Sequence, residues 1–131
     1  MPDNAVRHIR VLAIDDSSDF LSTLQSFFEA AEAFELIATA RSGSEALRLV
    51  QKFHPDLVLM DLQMTGVNGL EATSAIRRRF PEIDVVIITA HDVPGLRQIC
   101  YENGARDVVR KSRLNEELPH VLAGFLISRQ T

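Results

Sequence analysis

Apolar residues follow two alternating rhythms along the chain. Short consecutive runs, rich in Val and Ile and bounded by polar residues, read as buried strands: IRVLAI (9–14), ELIAT (35–39), LVLM (57–60), VVIIT (85–89) and the short DVV (107–109). Between them the apolar residues recur every three or four positions, which is the spacing of one helix face. Residues 19–31 put Leu21, Leu24 and Phe28 on one face with Phe20 and Phe27 beside them, and residues 44–53 repeat the pattern with Leu47, Val50 and Phe53. The run SGSE (42–45) suits a capping box, with Ser42 as the cap and Glu45 reaching back. Two further helices are expected over 69–80 and 95–103, the second stopped by Gly104. A last helix covers about 116–128 through Leu118, Leu122 and Phe125. Pro119 fits only near a first turn, so this helix should begin close to Asn115.

Strand then helix, five times over, implies an α/β fold: a parallel sheet with helices on both faces. Right-handed crossovers leave few topologies. The order 2-1-3-4-5 is a common solution for five strands, with its switch point between strands 1 and 3. Ligands in such sheets bind beyond the carboxyl ends of the strands near that point. Strand 1 runs into Asp15 and Asp16, strand 3 into Asp61, strand 4 into Thr89 and strand 5 into Lys111.

Each of these residues has a plainer explanation. Asp15 or Asp16 could cap the next helix, Asp61 could stabilise a turn, Thr89 suits a strand and Lys111 could be solvated. Their convergence weakens that explanation. Two unit charges about 4 Å apart repel by roughly 4 kcal/mol at an effective dielectric of about 20. One lysine does not balance three carboxylates; a divalent cation would. An all-oxygen ligand set suits Mg²⁺, with Mn²⁺ as the other option, and leaves room for water and a phosphate. A carboxylate can itself be a nucleophile toward phosphorus, and Asp61 is the central candidate.

Composition narrows the rest. The 131 residues suit one domain with an adequate core, and 46% hydrophobic with 24% charged residues is ordinary for a globular protein. Net charge −4 leaves no electrostatic footprint for nucleic acid, and the run Arg77, Arg78, Arg79 reads as a solvated helix face. The single cysteine, Cys100, reads as a small buried hydrophobe. MPDNAVRHIR lacks the apolar core of a signal peptide, and no run approaches the roughly 20 residues that span a membrane, so no membrane contact and a cytoplasmic location are the expectation.

The stretches VLAIDDSSDF, ARSGSEAL, PDLVLMDLQMTGVNGLEAT, VVIITAHD and GARDVVRKS, in this order, resemble the receiver domain of bacterial two-component response regulators. The resemblance covers about residues 7–127 of a single domain, 1–131. In MTGVNGLEAT and ITAHD it is greatest to receivers that precede LuxR-type DNA-binding domains, although no such domain is found in these 131 residues.

The resemblance implies that Asp61 accepts a phosphoryl group from a histidine kinase or phosphotransfer protein. It implies Mg²⁺ held by Asp16, Asp61 and the backbone carbonyl of Gln63, with Asp15 acting through water, and Thr89 and Lys111 touching the phosphoryl group. Gln63 and His91, each two residues beyond a site residue, could tune hydrolysis. Such a module catalyses its own phosphorylation and dephosphorylation but turns over no external product, so it is not an enzyme in the ordinary sense. Its output partner and any homodimer stay open. The alternatives are an interaction module independent of phosphorylation and an aspartyl-phosphate phosphatase of the haloacid dehalogenase type. The latter usually has a second Asp where Gln63 stands.

Three positions depart from the family pattern: Thr65 and Ser112, where proline is common, and Val108, where an aromatic residue often couples to the threonine. Without that ring, any switch must pass through the loop of residues 90–95 and the fourth helix.

Overall fold

The structure is a computed structural model and describes residues 8–64 and 68–129. The strands are β1 (Ile9–Ile14), β2 (Phe34–Ala40), β3 (Leu57–Asp61), β4 (Asp84–Thr89) and β5 (Asp107–Arg110). The helices are α1 (Ser18–Glu29), α2 (Gly43–Phe53), α3 (Gly69–Arg79), α4 (Leu96–Glu102) and α5 (Leu114–Arg129). All strand pairs are parallel, in the order β2-β1-β3-β4-β5, as the alternation of runs predicts.

The strand runs are continuously apolar because both faces of the sheet are covered. Leu12, Ile14, Val58, Met60, Val85 and Ile87 form one core layer with residues of α2, α3 and α4. The alternate residues Val11, Ala13, Leu57, Leu59, Val86 and Ile88 form the other with α1 and α5. Phe125 of α5 is fully buried in the second layer, where truncation to alanine would cost about 3–5 kcal/mol. Cys100 is buried in the first layer and behaves as a small hydrophobe.

The helix starts carry their expected chemistry, with two shifts. Ser42 Oγ accepts from Glu45 N at 3.2 Å, but Glu45 Oε1 reaches one residue further back than a capping box requires, to Arg41 N at 2.9 Å. Helix α5 starts at Leu114, directly after a 3-10 turn over Lys111–Arg113. Pro119 therefore lies in its second turn, not its first. The ring removes one donor to the Asn115 carbonyl. Burial of Leu118, Val121, Leu122 and Phe125 offsets that loss.

Edge strand β2 is longer than its apolar run. Val11 pairs with Leu36 and Leu12 with Ala38, so Ile37 is an extra residue, a bulge of the kind that discourages edge-to-edge pairing. Of the three departures from the family pattern, Thr65 lies outside the described residues. Val108 is 2% exposed in the first core layer, and no cis peptide occurs in the described chain, so Lys111–Ser112 is trans.

Candidate functional site

The parallel order brings the ends of β1 and β3 side by side, Ile14 pairing with Met60. Asp15, Asp16 and Asp61 follow directly, and each offers a carboxylate oxygen within 4.8 Å of the other two. Asp15 and Asp61 are buried, whereas Asp16 is more open to solvent. From the end of β5, Lys111 Nζ reaches Asp15 Oδ2 at 2.6 Å and Asp61 Oδ1 at 3.7 Å.

Local sequence explains how the carboxylates stay free. Ser17, not an aspartate, caps α1, its Oγ accepting from Phe20 N at 3.2 Å. Ser17 N in turn donates to Asp15 Oδ1 at 2.8 Å, which fixes that carboxylate toward the cluster. Behind Asp61 the chain is tight. A Cβ on Gly69 would lie 2.3 Å from the Asp61 carbonyl oxygen, so only glycine lets α3 start flush against this strand end. Asn68 caps the same helix, accepting from Glu71 N at 2.9 Å. Just before Lys111, Arg110 is clamped to Glu117 of α5, and that contact holds the Glu117 carboxyl below its ordinary range.

Three acids against one lysine leave an electrostatic imbalance. Burial, then the Asp15 charge, push the Asp61 carboxyl up from its ordinary 3.8 to about 6; Lys111 and the Gln63 backbone pull the other way. The donor set is all oxygen, with two carboxylates buried and a third toward solvent. That fits a hard divalent cation that keeps part of its water shell.

The remaining site candidates lie at the ends of β3 and β4. Gln63 is exposed, and its N–H donates to Asp61 Oδ1 at a long 3.4 Å. Thr89 ends β4 beside the cluster, yet its hydroxyl donates to the His91 carbonyl at 3.0 Å and accepts from His91 N at 3.1 Å. His91 is exposed and holds Thr89 through its backbone.

Three residues at the site were not singled out by sequence reasoning. Ser17 orients Asp15; Arg41 Nη2 donates to the Asp16 carbonyl at 2.9 Å; the Phe20 ring lies 4.4 Å from Lys111 Nζ. Ser17 was legible as a cap signal. Arg41 and Phe20 act across the fold and left no local signal.

The sequence pattern of the response regulator receiver domain matches residues 11–123. Among similar proteins, the transcriptional regulatory protein DegU of Brevibacillus brevis is 36% identical over 84 residues, covering 64% of this chain and 36% of its own length. The transcriptional regulatory protein LiaR of Bacillus subtilis (strain 168) is 42% identical over 82 residues, covering 63% and 39%. The match thus spans well under half the length of these relatives. A two-component response regulator of the LuxR family from Aurantimonas sp. SI85-9A1 has a similar solved structure, with TM-score 0.87 at 29% identity, covering 92% of this chain and 86% of that one. A DNA-binding response regulator of the LuxR family from Staphylococcus aureus has TM-score 0.81 at 26% identity, covering 88% and 97%.

Proposed function

This chain belongs to the response regulator receiver domain family, and from that premise we propose that it is a phosphoacceptor signalling module in which Asp61 carries the phosphoryl group. The observation behind this reading is the meeting of Asp15, Asp16 and Asp61 within 4.8 Å, with the Lys111 ammonium beside them.

In this reading a carboxylate oxygen of Asp61 attacks phosphorus, and the bond from phosphorus to the donor breaks. Lys111 meets one phosphoryl oxygen with its ammonium. Asp16, Asp61 and the Gln63 backbone carbonyl would hold Mg²⁺, with Asp15 assisting through water. The ion supplies neutralising charge when bound. Thr89 would contact a further phosphoryl oxygen through a charge-assisted hydrogen bond. To do so its hydroxyl must turn its one proton away from the His91 carbonyl, so phosphorylation is coupled to the loop of residues 90–95. Gln63 and His91, each two residues beyond a site residue, would tune hydrolysis in this reading.

The donor in this reading is a histidine kinase or phosphotransfer protein inside the cell, and the output is a partner or a further domain regulated by the switch. Residues 1–131 act as one receiver unit. The phosphatase alternative gains nothing from the geometry, because Gln63 offers an amide where that chemistry uses a carboxyl group. A module independent of phosphorylation would have no use for three converging acids.

Incubation with acetyl phosphate and Mg²⁺ should add one phosphoryl group, measured by intact mass, and the modification should be lost in base. Asp61→Asn should abolish it while the circular dichroism spectrum stays unchanged. Equal labelling of a folded Asp61→Asn protein would overturn the assignment.

A further inference from the structure

We propose that Phe20 is a positioning residue for phosphoryl transfer, its ring face holding the Lys111 ammonium beside the Asp15 and Asp61 carboxylates. The proposal rests on the reading of Asp61 as the acceptor.

Lys111 Nζ lies 4.4 Å from the Phe20 centroid, well inside cation–π range. The other cation–ring contacts among the described residues are 5.2–5.5 Å long. A lysine side chain is flexible, and fixing its head costs much of its rotamer freedom. The carboxylates attract the ammonium but do not restrict its approach, since a point charge forms good contacts from many directions. The ring supplies that restriction.

Four contacts close into a circuit. Asp15 Oδ1 accepts from Ser17 N; Ser17 Oγ accepts from Phe20 N; the Phe20 ring meets Lys111 Nζ; Lys111 Nζ returns to Asp15 Oδ2. The stretch DDSSDF therefore builds both the acid and the aromatic side of the lysine's seat.

The competing role for Phe20 is packing. It is half-buried and touches the core layer of α1 and α5. Any apolar side chain of similar size would serve there. Only an aromatic ring presents negative potential to a cation. That difference separates the two roles.

With acetyl phosphate, the Asp61 carboxylate forms its bond to phosphorus as the bond from phosphorus to the acetate oxygen breaks, and acetate leaves with the electron pair. No proton moves. Lys111 stays protonated and donates to a phosphoryl oxygen, so its placement affects the rate without altering the balance of the step.

Initial labelling rates with acetyl phosphate and Mg²⁺ should fall about 3- to 10-fold in Phe20→Leu, the scale of a partly exposed cation–π contact. Phe20→Tyr should restore the rate. In a Lys111→Gln background, Phe20→Leu should have no further effect. A readout independent of labelling is the NMR shift of the Lys111 Hε protons in metal-free protein. Ring current should displace them upfield in the wild type and in Phe20→Tyr, and the displacement should vanish in Phe20→Leu. Phe20→Met repeats the ring removal if the leucine variant folds poorly.

An unmoved Lys111 shift, equal loss in the Tyr and Leu variants, or full loss persisting without Lys111 would each overturn the proposal. Failure of Asp61 to label in the wild type would instead overturn the reading beneath it, and the NMR shift would still decide the contact.

Discussion

The sheet carries acidic residues at its amino-terminal and at its carboxyl-terminal edge, and the two edges treat them in opposite ways. Asp56 stands just before β3 and Asp84 begins β4. Asp56 accepts from Arg10 N at 2.8 Å and pairs with Arg129 at 3.1 Å. Asp84 lies between Arg77 at 3.8 Å and Arg106 at 3.4 Å. Arg106 and Arg129 also flank the buried Phe125 ring, each 5.3 Å from its centroid. The amino-terminal edge is thus well supplied with cations and ties α5 to the sheet. At the carboxyl-terminal edge, Asp15, Asp16 and Asp61 cluster around a single ammonium, Lys111, which pairs with Asp15 and Asp61 alone. The same residue type is structural where cations surround it and chemically poised where they are too few. Electrostatic strain of that kind marks functional sites.

The sharpest way to break this comparison is to remove one acid from the poised edge. A folded-state value of about 6 against an ordinary 3.8 corresponds to about 3 kcal/mol at most. Because that value is raised, the stability linked to protonated Asp61 is present below about pH 4 and lost as pH rises through about 6. In metal-free buffer near neutral pH, Asp61→Asn should therefore be more stable than the wild type, by up to about 3 kcal/mol. Urea melts should show the advantage shrinking toward about pH 4. An advantage that does not depend on pH would remove the contrast.

Removing an acid from the other edge should have the opposite sign. Asp84→Ala leaves Arg77 and Arg106 without their shared partner, at a cost of about 1–2 kcal/mol. The cost should be nearly constant from about pH 6 to 8, where both partners remain charged. Urea melts across that range check it. A stabilised Asp84→Ala protein would show that the two edges do not differ as described.

The smallest effect is conformational. Beryllofluoride, a phosphoryl mimic, added with Mg²⁺ should change amide exchange in residues 90–103, because Thr89 must release the His91 carbonyl. It should leave the amides near Asp56 and Asp84 as they were. With Val108 in place of an aromatic residue, this backbone route is the one left to carry the change. A response confined to β5 would contradict it.

The sequence determined the strand–helix alternation and the residues at the strand ends, and it narrowed the strand order to a few topologies. These follow from local properties: apolar periodicity, the alternation itself and the right-handed crossover. It also carried the cap signals, because a cap and its helix are neighbours in the chain. Tertiary structure decided the partners. That Phe20 meets Lys111 and that Arg129 reaches Asp56 depends on rotamers and on how distant elements pack. The packing also placed Pro119 in a second turn, since burial of an apolar helix face outweighs the lost hydrogen bond. Local sequence positions a backbone, but a contact between residues far apart in the chain is chosen only when the whole core forms.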